Sequence, residues 1–371
     1  MRLLFIARAF PPTLGGMETL AYRLSEGIRH QANVTMLVNR RGKMALPAFL
    51  LYALCSAPLL ARKNRVQVIH LADALLAPLG LLLKKVTGLP VTSTVCGLDV
   101  TYRNRFYQSA VPRALAHLNM TMPISKATEE EVRVRAGQQT PTVAIPLGIN
   151  PLPQPGPTAI QDFQRLAAID PSQPVILSVG RLVKRKGVAW FVKQVLPRLP
   201  ERAIYVVIGE GKEMDAIRAA ASTAGTADRV RLLGRVSDDI LAAAYRHGHI
   251  FVMPNVPIPG DIEGFGLVAL EAAASGMPTV ASRLEGITDA VHHERNGLLV
   301  TPLAADEYVA KITDLLQLPQ EQLRALGASF ASFTQEHYGW DRTARRYLEV
   351  MEGIVAAPPM TRPGKVTEHS L

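Results

Sequence analysis

Continuous apolar segments alternating with helical patterns constrain this fold more than any other sequence feature. Runs rich in Val, Ile and Leu recur from the N-terminus, and segments with apolar residues at helical spacing separate them. Strands that are apolar at every position are buried on both faces, and helical crossovers between them give parallel sheets. The first series of predicted strands covers residues 2–8, 33–38, 66–70, 90–96, 118–122 and 142–146. It predicts one doubly wound α/β domain.

The pattern is interrupted once and then starts again. Residues 151–174 are rich in Pro around one short helical segment, which is typical of a linker between domains. The second series of predicted strands covers residues 175–180, 203–208, 229–233, 249–253, 278–281 and 298–300. Because 371 residues exceed what one core usually supports, we expect two Rossmann-like domains. Their predicted bounds are 1–155 and 156–338, followed by a helix at 339–356 and a disordered tail at 357–371.

The first strand of each series leads into a Gly-containing loop and then a helix. The first loop contains Gly15 and Gly16, and the second runs from Gly180 to Gly187. Open α/β sheets bind ligands at the carboxyl ends of their strands, so the two loops are expected to face one cleft. Arg181, Lys184, Arg185 and Lys186 crowd the second loop, and this charge requires an anion or solvent to compensate it. A diphosphate fits, with Arg181 bidentate and Lys186 as a point charge; a solvated turn is the alternative.

Two carboxylates bracket a Gly-Phe-Gly turn that opens a predicted helix. Glu263 precedes the turn, and Glu271 follows about two helical turns later. Gly264 and Gly266 would expose backbone amides at a helix N-terminus, which is an anion site. A buried Glu271 would be placed to accept hydrogen bonds from a ribose diol. The alternative is a capped core helix with an acidic first turn.

Several site classes lack their sequence signatures. Neither glycine loop matches the dinucleotide fingerprint or the P-loop, and no Gly-x-Ser-x-Gly nucleophile elbow occurs. The adjacent His292, His293 and Glu294 lack the spacing of metal ligands. Cys55 and Cys96 are too few for a disulfide framework and fit a reducing cytoplasm. Residues 1–10 lack a signal peptide's cleavage site, so we expect a cytoplasmic protein.

Positive charge is concentrated in the first half of the chain. Residues 1–155 contain 18 Lys and Arg against 7 Asp and Glu, a net charge of +11, whereas residues 156–371 have a net charge of −1. The basic half indicates an anionic partner, such as a lipid surface, a phosphate-bearing acceptor or nucleic acid, and a merely soluble basic surface is the alternative. Nucleic acid is disfavoured because no basic helix is interleaved with stacking aromatics.

The most apolar run extends from Met44 to Leu60 and has basic residues on both sides. It is shorter than the roughly 20 residues that span a bilayer, and it contains Pro47 and Pro58. One interpretation is a helix lying in the interface of an anionic membrane, which would make this a peripheral protein on the inner face. A buried domain helix is the other.

Four motifs together resemble the family 4 retaining nucleotide-sugar glycosyltransferases of the GT-B fold. They are the segments 11–18, 178–187, 208–211 and 263–271. The resemblance covers about residues 1–355, and the Glu263-x₇-Glu271 spacing with the Arg181-x₄-Lys186 loop is its most specific part. It implies two domains facing one cleft, a last helix that crosses back to complete the first, acceptor-side domain, and no metal or other cofactor.

The resemblance also implies a role for each matching residue. Gly15 and Gly16 would approach the donor phosphate and sugar, and Arg181 and Lys186 would hold the diphosphate. Glu263 would contact the transferred sugar, and Glu271 would bind the ribose. The segment Gly264-Phe265-Gly266-Leu267 would support the sugar and phosphates through its amides, and Gly209 lies in the matching segment 208–211.

One position departs from the family pattern. Many members have His-Gly-x-Asp after the fourth strand, whereas this chain has Cys96-Gly97-Leu98-Asp99. Cys96 cannot donate a comparable hydrogen bond or charge, so a contact with the sugar is altered. Asp99 is still a candidate to act on the donor sugar or the acceptor.

From these features we expect a retaining hexosyltransferase acting from a UDP- or GDP-sugar, such as GDP-mannose. The acceptor would be a glycan or lipid-linked intermediate of cell-envelope polysaccharide or glycolipid biosynthesis. The alternatives are a catalytically impaired nucleotide-sugar-binding protein, suggested by Cys96, and a GT-B nucleotide-sugar epimerase, which would need no acceptor.

Overall fold

The computed structural model describes residues 1–13, 15–102, 104–150 and 152–357. The predicted disordered tail therefore lies outside the described residues, except for Ala357. The first half contains β1 Arg2–Ala7, α1 Gly16–Arg29, β2 Asn33–Val38, α2 Leu46–Lys63, β3 Val68–Leu71, α3 Ala77–Thr87, β4 Val91–Val95, α4 Leu98–Thr101, α5 Arg105–Leu115, β5 Met120–Pro123 and α6 Lys126–Ala136. The second half contains α7 Ala159–Ala167, β6 Val175–Val179, α8 Val188–Gln194, β7 Ile204–Ile208, α9 Met214–Thr223, β8 Val230–Gly234, α10 Asp238–His247, β9 Ile250–Met253, α11 Leu267–Ala274, β10 Thr279–Ser282, α12 Ile287–Ala290, β11 Leu298–Val300, α13 Ala305–Gln317, α14 Gln320–His337 and α15 Trp340–Ala356.

The described strands form two parallel sheets, as the apolar pattern predicts. Their orders are β2-β1-β3-β4-β5 and β11-β10-β9-β6-β7-β8. Both faces of β1 are buried, because Leu3 and Phe5 pack into a core shared with α1 and α15 while Leu4 and Ile6 pack under α2 and α3. This two-sided burial explains why the strand is apolar at every position after Arg2. The two sheets confirm the doubly wound α/β class, while the boundary at residue 155 stays a prediction.

The predicted strand at 142–146 is wrong. Only Thr142 forms a bridge with β5, through Thr121, although Val143 and Ile145 still donate backbone hydrogen bonds to Thr121 and Pro123. The next bridge of a ladder would need the amide of residue 123 to donate to the Val143 carbonyl, and Pro123 on β5 has no amide. The segment therefore runs along the sheet edge without a continuous ladder.

The last helix, α15, crosses back and packs on the first sheet, as the resemblance implies. It lies against α1, and the Tyr347 hydroxyl accepts a hydrogen bond from Thr94 on β4 at 3.2 Å. Thr94 also contacts the fully buried His70 ring, whose other nitrogen lies 2.9 Å from the Thr92 hydroxyl. Tyr347 packs edge-on against the same ring. This buried polar group of β3, β4 and α15 fixes the last helix to the first domain.

We expect His70 to make the protein less stable in mild acid. Burial lowers the pKa of His70 from 6.5 to about 3. The unfolded chain then binds more protons between these values, so the free energy of unfolding falls as pH drops below 6.5, by about 3 kcal/mol at pH 4. His70→Gln, which can still bond both threonines, should flatten this part of a pH–stability curve measured by urea unfolding. An unchanged slope would contradict the assignment to His70.

Candidate functional site

An ion-paired cluster lies at the carboxyl ends of β6 and β9. The Nζ atom of Lys186 lies 2.6 Å from Oε2 of Glu263, and the Asn255 amide donates to the same oxygen at 2.9 Å. Arg185 Nε is 3.5 Å from that oxygen. Gly187, with φ of +66°, ends the turn that carries both cations, and a Cβ there would lie 1.9 Å from the Pro254 carbonyl oxygen. Only glycine therefore lets this basic turn pack so closely on the loop after β9.

The charge of this loop is compensated partly from within the protein. Burial alone would raise the pKa of Glu263, but the nearby charges of Lys186 and Arg185 outweigh it and lower the pKa below its usual value. Arg185 also contacts Asp261 at 3.3 Å. Protein carboxylates thus offset part of the charge of Arg185 and Lys186, while the diphosphate contacts of Arg181 and Lys186 stay a prediction. Arg181 is exposed and lines a narrow cavity together with Lys186 and Asn255.

Glu271 lies in the second turn of α11, and neighbouring groups compensate its negative charge only weakly. The Tyr245 hydroxyl donates to its Oε2 at 3.0 Å. Burial raises the pKa of Glu271 to about 7, and the Tyr245 hydrogen bond opposes this only in part. A half-buried carboxylate with so little compensation destabilises the fold, which is typical of a group retained to bind a ligand.

The turn before α11 is built on two glycines. Gly266 is left-handed, with φ of +94°, and serves as N-cap, so α11 starts at Leu267 with first-turn amides that have no partner within the helix. The Phe265 side chain is buried in the core beside Tyr338, so only the backbone of this residue is available to contact a ligand. A Cβ on Gly264 would lie 2.5 Å from the Cys96 carbonyl oxygen. That contact brings the two domains together at the cleft.

The remaining glycines have different environments. Gly209 approaches the second loop so closely that a Cβ would lie 2.0 Å from the Gly180 carbonyl oxygen, which indicates a packing role. Gly15 is the N-cap of α1, with extended backbone, and Gly16 begins the helix. No described heavy atom lies within 4 Å of a Cβ built on Gly16. Direct contact between this loop and the second domain stays a prediction.

Asp99 holds the loop after β4. Its Oδ1 accepts from the Cys96 amide at 2.8 Å and its Oδ2 from the Ala74 amide at 3.0 Å. Burial, with the like charge of Asp73, raises the pKa of Asp99 to about 6 despite these bonds. Burial also raises the pKa of Cys96 well above its usual value, so this thiol is a poor nucleophile. The observed contacts of Asp99 position the backbone of the cleft loop.

Sequence reasoning missed the ion pair between Arg8 and Asp73. Arg8 follows β1 and its Nε lies 2.8 Å from Oδ1 of Asp73, which lies two residues after β3. Burial raises the pKa of Asp73, and the Arg8 charge opposes this shift. The signal was visible as one charged residue within two positions of the end of each of two buried strands. The pair lies beside the Asp99 loop, at the first domain's edge of the cleft.

Among the described residues, no group of three or more His, Cys, Asp and Glu side chains could hold a metal ion. The independence from metal and other cofactors stays a prediction.

Residues 173–318 match the family model described as Glycosyl transferases group 1. A GDP-mannose-dependent alpha-(1-6)-phosphatidylinositol monomannoside mannosyltransferase of Mycobacterium tuberculosis is 30% identical over 209 residues, which are 55% of this chain and 54% of that protein. A D-inositol 3-phosphate glycosyltransferase of Segniliparus rotundus is 29% identical over 316 residues, 79% of this chain and 68% of that protein. These comparisons support placing this chain among the family 4 glycosyltransferases. Its match thus spans about half the length of the mycobacterial relative.

Solved structures show that this chain has the GT-B fold. A sucrose-phosphate synthase from Thermosynechococcus elongatus superposes with a TM-score of 0.76 at 21% identity, covering 96% of this chain and 100% of that one. Anabaena HepE, solved with UDP and glucose, gives a TM-score of 0.75 at 16% identity, covering 95% and 100%. At these identities the likeness establishes the architecture alone.

Proposed function

We propose that this protein transfers a hexosyl group, with retention of configuration, from a GDP- or UDP-sugar to a glycan or lipid-linked acceptor of cell-envelope biosynthesis. The observation that carries the proposal is the cluster of Lys186, Glu263 and Asn255, with the exposed Arg181 on the same cavity. A relative named as GDP-mannose-dependent and a structural neighbour solved with UDP support the two donor bases. Cys55 and Cys96 are free thiols, which supports a cytoplasmic location.

The proposed chemistry is electrostatic. Negative charge develops on the leaving diphosphate as the glycosidic bond breaks, and Arg181 and Lys186 would stabilise it. Glu263, kept ionised by its cationic neighbours, would accept hydrogen bonds from hydroxyls of the transferred sugar. Glu271 would accept from the ribose diol, and the amides at the start of α11 would support the phosphates. Gly16 would approach the donor from the first domain, and Asp99 would fix the loop that touches Gly264.

A panel of GDP- and UDP-sugars tests the proposal by thermal shift, followed by transfer to candidate acceptors. The donor that binds should raise the melting temperature by mass action. NMR of the product should show the donor's anomeric configuration. Donor binding without turnover on any acceptor would favour the impaired binding protein, and conversion of the sugar nucleotide without acceptor would favour the epimerase. No stabilisation by any member of the panel would contradict the donor assignment.

A further inference from the structure

Three large apolar side chains of the helix α2 lie on its solvent side. Leu51, Tyr52 and Leu59 are 65%, 59% and 72% exposed. Tyr52 and Leu59 are two helical turns apart and Leu51 adjoins Tyr52, so the three share one side of the helix; we call them the apolar stripe. The buried face of α2 consists of Phe49, Ala53, Ala57 and Ala61. Because the large apolar residues of a helix that faces water normally pack on the core, the exposed stripe indicates an apolar medium or partner over it.

Basic residues flank the apolar stripe, and the stretch of sequence that contains it has no exposed acidic residue from residue 27 to residue 128 among the described residues. Arg40, Arg41 and Lys43 precede α2, Arg62, Lys63 and Arg65 follow its apolar part, and all six are exposed. Between Glu26 and Glu129 the sequence contains only two carboxylates, Asp73 and Asp99, and both are buried. The same segment contains 13 Lys and Arg. The surface therefore complements an anionic partner.

Exposed apolar groups are concentrated in the same domain. Of the 14 exposed large hydrophobic side chains in the described residues, 11 lie between Tyr22 and Val134. They include Val86 on α3, which packs against α2, and Phe106 on α5, which packs against α3. A partner that covers this domain must be apolar over a wide area and anionic at its margins.

The helix lies on a surface rather than spanning a membrane. In the described part of the chain, the segment Lys43–Lys63 is the one helical stretch long and apolar enough to cross a bilayer, with 21 residues and mean hydropathy 1.9. Length therefore does not prevent spanning, in contrast to the estimate from the apolar run alone. Packing does, because Ala53 and Ala57 are fully buried against the domain. One face of α2 is thus occupied and the other is available.

We propose that the apolar stripe and its basic flanks dock on the surface of an anionic lipid bilayer. A bilayer offers both properties that this face requires over a wide area, because its acyl chains are apolar and its anionic headgroups carry negative charge. A pocket of about 310 Å³ opens at the start of α2 and is lined by Arg8, Ala9, Thr13, Glu18, Gly42, Lys43 and Leu46. A lipid headgroup at the bilayer surface would enter it next to the cleft. The use of this pocket for an acceptor rests on the proposed function, whereas docking does not.

Flotation with vesicles tests docking without donor or acceptor, so its outcome is independent of the transfer reaction. The full chain is mixed with vesicles of phosphatidylcholine alone or with added phosphatidylglycerol. It should float only with the anionic vesicles, and less as salt is raised. The double variant Leu51→Ser/Leu59→Ser should lose flotation. Arg62→Glu/Lys63→Glu should weaken binding at least about tenfold, since each basic residue contributes about fivefold.

Matched controls come from the second domain. Leu166→Ser on α7 and Lys193→Glu on α8 change exposed residues of the same kinds and should leave flotation unchanged. Binding that is absent, or that survives Leu51→Ser/Leu59→Ser, would overturn the proposal. Sedimentation of the free protein tests the alternative that a second copy of the chain covers the stripe. A dimer that Leu51→Ser/Leu59→Ser dissociates, together with no vesicle binding, would assign the stripe to a dimer interface.

Discussion

Arg181→Ala is expected to lower kcat for sugar transfer by about 10²–10³-fold, the usual effect of removing one group that stabilises developing charge. Arg181 is exposed, so the variant should fold with unchanged stability. Lys184→Ala is the matched control, because Lys184 is an exposed cation on the same loop and no role is assigned to it. Steady-state kinetics with the donor identified by thermal shift measure the effect. Equal losses of kcat in both variants would show that the effect comes from the total charge of the loop and not from Arg181 itself. Full activity of Arg181→Ala would remove this residue from the mechanism.

Lys186→Ala should reduce kcat by a similar factor and should also destabilise the protein. Lys186 pairs with the buried Glu263 at 2.6 Å, and removing one partner of a buried pair leaves an uncompensated charge that costs about 3–5 kcal/mol. Arg185 and Asn255 still contact Glu263, so the cost should lie at the lower end of that range. Urea unfolding separates this loss from the kinetic one. Arg181→Ala keeps the catalytic assignment testable if Lys186→Ala does not fold.

The architecture could be predicted because burial is encoded locally. Every position of β1 after Arg2 is apolar, and that alone indicates a strand covered on both faces. The strand at 142–146 was wrong because Pro123 on the neighbouring β5 has no amide for the next bridge of the ladder. Residue burial and hydrogen-bonding capacity along a short segment thus determine most of the fold.

The partners within the site could not be predicted in the same way. Arg8 and Asp73 are 65 residues apart, and Arg185 and Asp261 are 76 apart. Both pairs form because the order of strands in the sheet brings two strand ends together. That order cannot be read from a single sequence. The four cations crowded in the second loop therefore predicted an anion site, but the sequence did not show that protein carboxylates pair with Arg185 and Lys186.

The position of Glu271 was predictable, but its environment was not. The spacing from Glu263 placed it two turns into a helix, while the Tyr245 hydroxyl that contacts it comes from α10. What the structure adds is that this carboxylate is half-buried with little compensation of its charge. A core role and a ligand-binding role then predict opposite effects when its charge is removed.

Glu271→Gln should weaken donor binding about ten- to 150-fold, because hydrogen bonds to a charged group contribute about 1.5–3 kcal/mol. The same variant should stabilise the free protein above pH 7. The pKa of Glu271 is raised from 4.5 to about 7, so the folded protein binds the extra proton between these values. Its free energy of unfolding therefore falls as pH rises from 4.5 to 7, by up to about 3 kcal/mol. Gln can still accept from Tyr245 and carries no charge, so this loss should vanish.

Calorimetry with the donor and urea unfolding at pH 5 and pH 8 measure the two effects on one variant. The donor affinity of the unmodified protein should also fall as pH drops below 7, since the protonated carboxyl is a weaker acceptor, and Glu271→Gln should show no such fall. Glu349→Gln, an exposed change of the same kind on α15, should alter neither quantity. A structural carboxylate would give lower stability and unchanged donor affinity, which would remove Glu271 from the binding site. Weaker binding together with higher stability is the combination that only a charge retained for its ligand produces.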